Sequence, residues 1–232
     1  IHILIGTHAL IEENVVFSAL GLVITDEQHR FGVKQRQALE SKGKSPHVLI
    51  MTATPIPRTM ALSVYGDLDV SFIKGMPPGR HPVKTYVVGS HMLQRIFRFM
   101  KKEMESGHQA YVVCPLVEQS EKQDLAAAVS VYENLRDHVF PQFGVGLVHG
   151  RMKNAEKEQV MEDFRKGKFK LLVATSVIEV GVNVPDATVM FVYGADRFGL
   201  SQLHQLRGRV GRGKEQAYCV LYTDNQNETT QL

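Results

Sequence analysis

Two adjacent carboxylates, Asp26 and Glu27, directly follow a short apolar run at residues 21–25. If that run is a buried parallel strand, the pair lies at the carboxyl edge of its sheet, where such sheets bind ligands. An aspartate there can hold the Mg²⁺ that bridges nucleotide phosphates, and the adjacent glutamate can orient and deprotonate a water. For an isolated Asp-Glu pair, a helix cap or a solvated turn is the more common explanation. The pair is therefore a candidate magnesium site for phosphoryl transfer.

The elements that must position this pair follow an alternating pattern. Short apolar runs bounded by Gly, Thr or Pro recur with amphipathic segments between them, which is typical of parallel strands covered by helices on both faces. The fold class is therefore α/β. We predict strands at residues 1–5, 21–25, 48–52, 111–115, 145–148, 171–174, 189–193 and 218–222.

One segment has a clear helical period. Leu93, Ile96, Phe97, Met100 and Met104 fall on one helical face, behind Ser90 as a possible cap and ahead of Gly107 as a stop. We predict an amphipathic helix here.

The chain divides into two groups of elements. Residues 75–82, Gly-Met-Pro-Pro-Gly-Arg-His-Pro, can continue neither a helix nor a central strand. We expect an incomplete first domain over residues 1–76, a linker over 77–82, a complete second domain over 83–224, and a polar tail over 225–232 that has little to bury.

The carboxylate pair belongs to a longer string. Residues 26–33, Asp-Glu-Gln-His-Arg-Phe-Gly-Val, resemble the DExH box of superfamily 2 helicases and, over all eight residues, its form in the RecG family. The resemblance implies two RecA-like domains, with Asp26 and Glu27 as catalytic residues that bind Mg²⁺. It also implies that Gln28 and His29 contact ATP.

A glycine- and arginine-rich string lies near the other end of the chain. Gln205, Gly208, Arg209 and Arg212 fit the Q-x-x-G-R-x-G-R motif of helicase second domains. The resemblance implies that Arg209 and Arg212 are arginine fingers, which stabilise charge on the γ-phosphate, and that Gln205 and Gly208 lie at the nucleotide. A basic surface helix that binds nucleic acid unspecifically is the alternative.

Three further strings match segments that bind nucleic acid in this family. They lie at residues 6–10, 51–59 and 148–152. The residues that the resemblance implies in contact with phosphates or with the tracking strand are Thr7, His8, Thr54, Arg58, His149, Gly150 and Arg151. A histidine after a strand is more often structural, so the alternative for His149 stays open. Contacts of this kind position a strand without reading its bases.

Residues 171–186 resemble helicase motif V. In that motif Thr175 and Ser176 would contact backbone phosphates, and Gly181 and Asn183 would lie near the nucleotide. An aspartate is frequent in the family where Asn183 stands.

Several strings distinguish among relatives. Residues 65–69 and 76–80 resemble the RecG family, which implies an ATP-dependent translocase on branched or forked double-stranded DNA. The transcription-repair coupling translocases share other strings but typically have Glu where Gln28 stands. Membership of that family is the alternative interpretation. A binding or regulatory module that kept the fold without the activity is the alternative from another class.

The phosphate-binding loop G-x-x-x-x-G-K-[ST] does not occur in the sequence, and the tripeptide at 43–45 lacks its first glycine. We expect this loop upstream in a longer chain, so these 232 residues should not hydrolyse ATP alone. We further expect a monomeric parent, with any dimer of this chain arising from exposed edges of the first domain.

Composition bears on metal sites, on membrane spans and on the kind of partner. Cys114 and Cys219 form no metal pattern and predict buried free thiols in a reducing compartment. The apolar runs are too short to cross a bilayer. The net charge of +3 is too small to indicate nucleic-acid binding by itself. The resemblance to the RecG family implies a bacterial, cytoplasmic and nucleoid-associated protein without a membrane partner.

Overall fold

The computed structural model describes residues 2–27, 32–53, 69–73, 75–76, 79–115, 121–175 and 184–224. The chain divides into two compact units, Ile1–Val70 and Ser71–Leu232. The segment predicted as a linker, 77–82, therefore clusters with the second unit.

The first unit contains a two-stranded parallel sheet. Strand β1 is Leu22–Thr25 and β2 is His47–Ile50, and they pair in register from Leu22 with His47 to Thr25 with Ile50. Helix α1, Val33–Glu40, joins them, and a 3₁₀ turn, His8–Ile11, precedes them. The predicted strand at 1–5 is not found, since residues 2–5 have no strand pairing and are exposed.

This unit buries little apolar surface in its described part. Val23 is its single buried apolar side chain there, whereas Leu22 and Ile24 on the opposite face of β1 are each 54% exposed. The expectation of an incomplete first domain stays a prediction.

The second unit contains a sheet of six parallel strands in the order β3-β8-β7-β4-β6-β5. The strands are β3 Lys84–Val88, β4 Gln109–Cys114, β5 Val145–Val148, β6 Leu171–Thr175, β7 Ala187–Val192 and β8 Tyr218–Tyr222. All residues of β4, β6 and β7 are buried, as expected for strands covered on both faces. The α/β class with a parallel sheet is confirmed.

Strand β3 was not among the eight strands predicted individually. It lies at the edge of the sheet, pairs with β8 alone, and is largely exposed. An edge strand has no need of the continuous apolar run that marks its buried neighbours.

The helices of the second unit pack on both faces of the sheet. They are α2 Leu93–Glu105, α3 Glu121–Asn134 with a π-helical end at Leu135–Val139, α4 Asn154–Arg165 and α5 Leu200–Arg207. Alternate residues of β4 face opposite cores, Tyr111 and Val113 on one side and Val112 and Cys114 on the other.

The predicted amphipathic helix is confirmed as α2, which buries Ile96, Met100 and Met104. Its stop is also confirmed, since Gly107 follows with φ +96°. Its start differs, because Ser90 begins a 3₁₀ turn, Ser90–Met92, and the N-cap of the helix is Met92, without a side-chain capping bond.

The two cysteines are free and buried, as predicted, and burial raises the pKa of both the Cys114 and Cys219 thiols to about 12. Across the described ranges no helix combines the length and apolar character that spanning a membrane requires.

Candidate nucleotide and nucleic-acid sites

The carboxylate pair lies where the sequence places it, immediately after β1. The Thr25 carbonyl oxygen accepts a hydrogen bond of 2.8 Å from the Met51 N–H, which extends the pairing of β1 with β2 up to the pair. Asp26 is exposed and Glu27 half-buried, and the Glu27 N–H donates to Asp26 Oδ1 at 2.8 Å.

The backbone of Glu27 has φ +50°, the left-handed region that non-glycine residues seldom occupy. Such conformations cost about 1–3 kcal/mol and cluster at functional sites. The turn that holds Asp26 and Glu27 thus has a conformation of the kind found at ligand sites.

The donor set of this turn fits Mg²⁺. Magnesium prefers oxygen ligands, and proteins usually bind it through one or two carboxylates while phosphates and water supply the rest. Within the described ranges no group of three or more His, Cys, Asp or Glu residues could hold a metal by itself. Asp26 and Glu27 therefore suit a metal that arrives with a nucleotide.

Seven predicted site residues fall outside the described residues: Gln28, His29, Thr54, Arg58, Ser176, Gly181 and Asn183. Their roles stay predictions. Thr7 and His8 are described and exposed, and the Thr7 carbonyl oxygen accepts from the Leu10 N–H at 3.0 Å as the 3₁₀ turn begins.

The arginine loop, residues 208–212, follows the end of α5. Helix α5 ends as the Gly208 N–H donates to the His204 carbonyl oxygen at 3.1 Å. Leu206 and Val210 are buried in the core and anchor the chain on both sides of Arg209. Arg209 is half-buried and Arg212 exposed, so both reach solvent from a fixed backbone.

The charges of this loop lie close together. Partial desolvation, followed by the charges of Arg209 and Arg80, lowers the pKa of Arg212. Burial raises the pKa of Tyr111 on β4 to about 12, against the opposing charges of Arg209 and Arg212. The four side chains therefore share one neighbourhood.

No acidic partner offsets this charge in the described ranges, where none of the ion pairs involves Arg80, Arg209 or Arg212. Three guanidinium groups without a carboxylate partner have the chemistry that suits an anion. Sequence reasoning missed Arg80, which it placed in the linker. Arg80 belongs to the family-specific string at residues 76–80, and that string was the available signal for a role of Arg80 at the site.

A second basic loop follows β5. Gly150 and Arg151 are exposed, His149 is half-buried, and Lys157 Nζ donates to the Gly150 carbonyl oxygen at 2.8 Å. Burial first, then the charges of Lys157 and Arg151, hold the pKa of His149 below its ordinary value. Lys157 was missed because it lies on α4 and reaches this loop only through the fold.

Thr175 is the last residue of β6, which lies beside β5 in the sheet. Because both strands are parallel, Thr175 and His149 lie at the same carboxyl edge. Thr175 Oγ1 and His149 Nδ1 are buried, and neither has a hydrogen-bond partner among the described residues. The geometry thus brings together two of the predicted phosphate-contacting segments.

Two family models match the chain. The helicase conserved C-terminal domain matches residues 90–214, and the DEAD/DEAH box helicase model matches residues 1–62. These ranges contain the arginine loop and the carboxylate pair respectively.

The similar curated proteins share one name. The ATP-dependent DNA helicase RecG of Bacillus subtilis is 57% identical over 229 residues, which are 99% of this chain and 34% of that protein. RecG of Thermotoga maritima is 54% identical over 228 residues, 98% of this chain and 29% of that protein. The chain spans about a third of the length of these relatives.

Solved structures agree with these sequence matches. A structure of RecG bound to a three-way DNA junction superposes with a TM-score of 0.74 and 49% identity, over 98% of this chain and 29% of that one. Dbp5 of Saccharomyces cerevisiae bound to RNA and ADP BeF3 superposes with a TM-score of 0.63 at 12% identity, over 96% of this chain and 58% of that one, which shows the helicase fold alone. The predicted resemblance to RecG is confirmed, and with more than half of its residues matched by the conserved C-terminal domain, the chain belongs to the helicase family.

Proposed function

We propose that this chain is the motor portion of an ATP-dependent DNA helicase that translocates on double-stranded DNA and remodels branched DNA. The observation that carries the proposal is the group of three arginines, Arg80, Arg209 and Arg212, without a carboxylate partner in the described part of the chain. A terminal phosphate of ATP is the anion that such a site suits.

The residues of the nucleotide site have separate roles in this proposal. Asp26 and Glu27 bind Mg²⁺ with ATP, and Glu27 accepts the proton of the attacking water. The metal, when bound, neutralises charge on the phosphate oxygens. Arg209 and Arg212 stabilise the charge that develops on the γ-phosphate, and Gln205 and Gly208 lie at the nucleotide.

The remaining nucleotide contacts are proposed from the sequence motifs alone. They are Gln28, His29, Gly181 and Asn183.

The DNA contacts are proposed for the loops at strand ends. His149, Gly150, Arg151 and Thr175 lie at one carboxyl edge and Thr7 and His8 precede β1. Ser176, Thr54 and Arg58 join them from the motifs. Backbone contacts of this kind give sequence-independent binding that weakens with salt.

Branched DNA is the proposed substrate because the relatives and the junction-bound structure are RecG. The same matches favour this reading over a transcription-repair coupling translocase. We place the activity in the bacterial cytoplasm and expect a monomer to perform it.

Because G-x-x-x-x-G-K-[ST] does not occur in these residues, we propose that another part of the complete protein supplies the phosphate-binding loop. The chain alone then has weak nucleotide affinity and no measurable turnover. A regulatory module with a degenerate helicase fold would instead show no turnover even as the complete protein.

The decisive experiment compares the complete protein that carries this chain with its Arg209→Ala variant. ATP hydrolysis is measured with a three-way junction, with linear duplex and without DNA. We expect the junction to stimulate the wild type most and the variant to lose the stimulated rate. Absence of stimulation in the wild type would overturn the proposal.

A further inference from the structure

Residues 80–84, which lead into β3, run beside the end of the arginine loop and the residues that follow it, and three hydrogen bonds join the two segments. Arg80 Nε donates to the Gly211 carbonyl oxygen at 2.9 Å. Gln216 Nε2 donates to the Pro82 carbonyl oxygen at 2.8 Å, and the Lys84 N–H donates to the Ala217 carbonyl oxygen at 3.0 Å. Residues 80–84 therefore form one wall of the arginine loop.

Gly211 is the point at which this wall meets the loop. Its φ is +70°, and a Cβ there would lie 3.0 Å from Ala217 Cβ and 3.2 Å from Val83 Cγ2. The Gly211 N–H also donates to the Ala187 carbonyl oxygen at 3.3 Å. The backbone between Arg209 and Arg212 is thus fixed from two sides, and Arg80 donates a hydrogen bond to the Gly211 carbonyl oxygen.

Arg80 also adds a positive charge beside Arg212. Its guanidinium is close enough to Arg212 to disfavour the charged form of that group. A like charge held near Arg212 raises the energy of the empty site, and an anion bound there relieves it. The hydrogen bond to Gly211 holds Arg80 in this position despite the repulsion.

We infer that Arg80 is a positioning residue for ATP hydrolysis, which fixes the arginine loop through the Gly211 carbonyl group and completes a three-cation site for the terminal phosphate. This inference rests on the proposed function. Residues 80–84, which lead into β3, then have a role in the chemical step.

A purely structural brace would behave differently. Loss of such a brace lowers stability and leaves the kinetic constants of the molecules that remain folded unchanged. A positioning residue that acts in the transition state lowers kcat with little change in the KM for ATP. The ratio of these two effects separates the two roles.

The test uses the complete protein and the variants Arg80→Ala, Arg80→Gln and Arg80→Lys. Arg98→Ala is the matched control, because Arg98 is exposed on α2 and its Nε also donates to a backbone carbonyl oxygen, that of Gln94. Junction-stimulated ATP hydrolysis gives kcat and KM, and thermal unfolding gives Tm. Arg209→Ala is measured in parallel.

We expect Arg80→Ala to lower kcat by about 10- to 100-fold, since misplacement of a reacting group by about 1 Å can cost 10²-fold. KM for ATP should stay within about threefold, the pattern for an interaction made in the transition state. Arg80→Lys, which keeps a charge and a donor, should recover most of kcat, and Arg80→Gln, which keeps only a donor, should recover less.

Wild-type kcat in Arg80→Ala, or a fall in Tm alone, would overturn the inference while Arg209→Ala still abolished turnover. If Arg80→Ala does not fold, wild-type kcat in Arg80→Gln overturns it and a reduced kcat with unchanged Tm supports it. A wild type without DNA-stimulated turnover would instead overturn the proposed function itself.

Discussion

The Glu27 N–H donates a hydrogen bond of 2.8 Å to Oδ1 of Asp26, directly after β1. The bond fixes the turn between the two carboxylates, and Glu27 adopts φ +50° within it. Its side chain is therefore directed by a backbone conformation that costs energy to hold.

Glu27→Gln should abolish hydrolysis without preventing ATP binding, because glutamine keeps the shape but cannot accept the proton. A general base contributes about 10²- to 10⁴-fold, so we expect a fall of that size in the DNA-stimulated rate of the complete protein. Fluorescent nucleotide binding measures retained affinity. Glu13→Gln, at an exposed residue of the same unit, is the control. A variant with more than a tenth of the wild-type rate would refute the assignment of Glu27.

Arg209→Ala and Arg212→Ala should each remove an arginine finger. Such residues are worth about 10³- to 10⁵-fold in rate, and we expect losses toward that range in junction-stimulated kcat. Arg207→Ala is the matched control, since Arg207 is an exposed arginine at the end of α5, just before the arginine loop, and contacts His204 instead. Equal losses in all three variants would show that the arginines contribute only general positive charge.

Gln109 is a buried polar residue of β4 on which the second unit depends. Its Nε2 donates to the carbonyl oxygens of Phe164 at 2.6 Å and Phe169 at 3.2 Å. Gln109→Met leaves these acceptors without this donor, which should cost about 1–3 kcal/mol in the free energy of unfolding. Urea denaturation measures it.

Gln159→Met is the control for that substitution. Gln159 donates to Asp163 Oδ1 at 2.9 Å on the exposed face of α4, where changes are usually within about 0.5 kcal/mol. Similar costs for the two variants would contradict the importance given to burial of Gln109.

His149 should make stability depend on pH. Its pKa is held below its ordinary value in the folded protein, chiefly by burial. The unfolded chain therefore binds a proton more readily, and stability falls as pH drops through the ordinary histidine pKa of about 6.5, then levels below the folded pKa. His149→Gln removes this loss.

The measurement for His149 is the Tm of the variant relative to the wild type at pH 7.5 and at pH 5.5. We expect His149→Gln to gain Tm relative to the wild type at the lower pH. In a Lys157→Met background the gain should shrink, because a charge that disfavours protonation is gone. A Tm difference that stays constant with pH would exclude the effect.

Local patterns were enough for part of the fold and of the site. The helical spacing from Leu93 to Met104 predicted α2, and the apolar run before Asp26 predicted the strand that positions it. These features depend on residues close in the sequence, so hydrophobic periodicity and composition are enough to predict them. The family motifs added the predicted role of Arg209 and Arg212.

Only the tertiary structure decided which distant residues meet. The sequence alone determined the α/β class, the helicase motifs and the missing phosphate-binding loop. It placed Arg80 in a linker, although Arg80 Nε bonds the Gly211 carbonyl oxygen 131 positions away. It also gave no sign that Lys157 meets Gly150, or that β3 pairs at the sheet edge. Such contacts depend on how parallel strands are ordered, since the order of β3, β8 and β7 brings residues 80–84 beside the arginine loop.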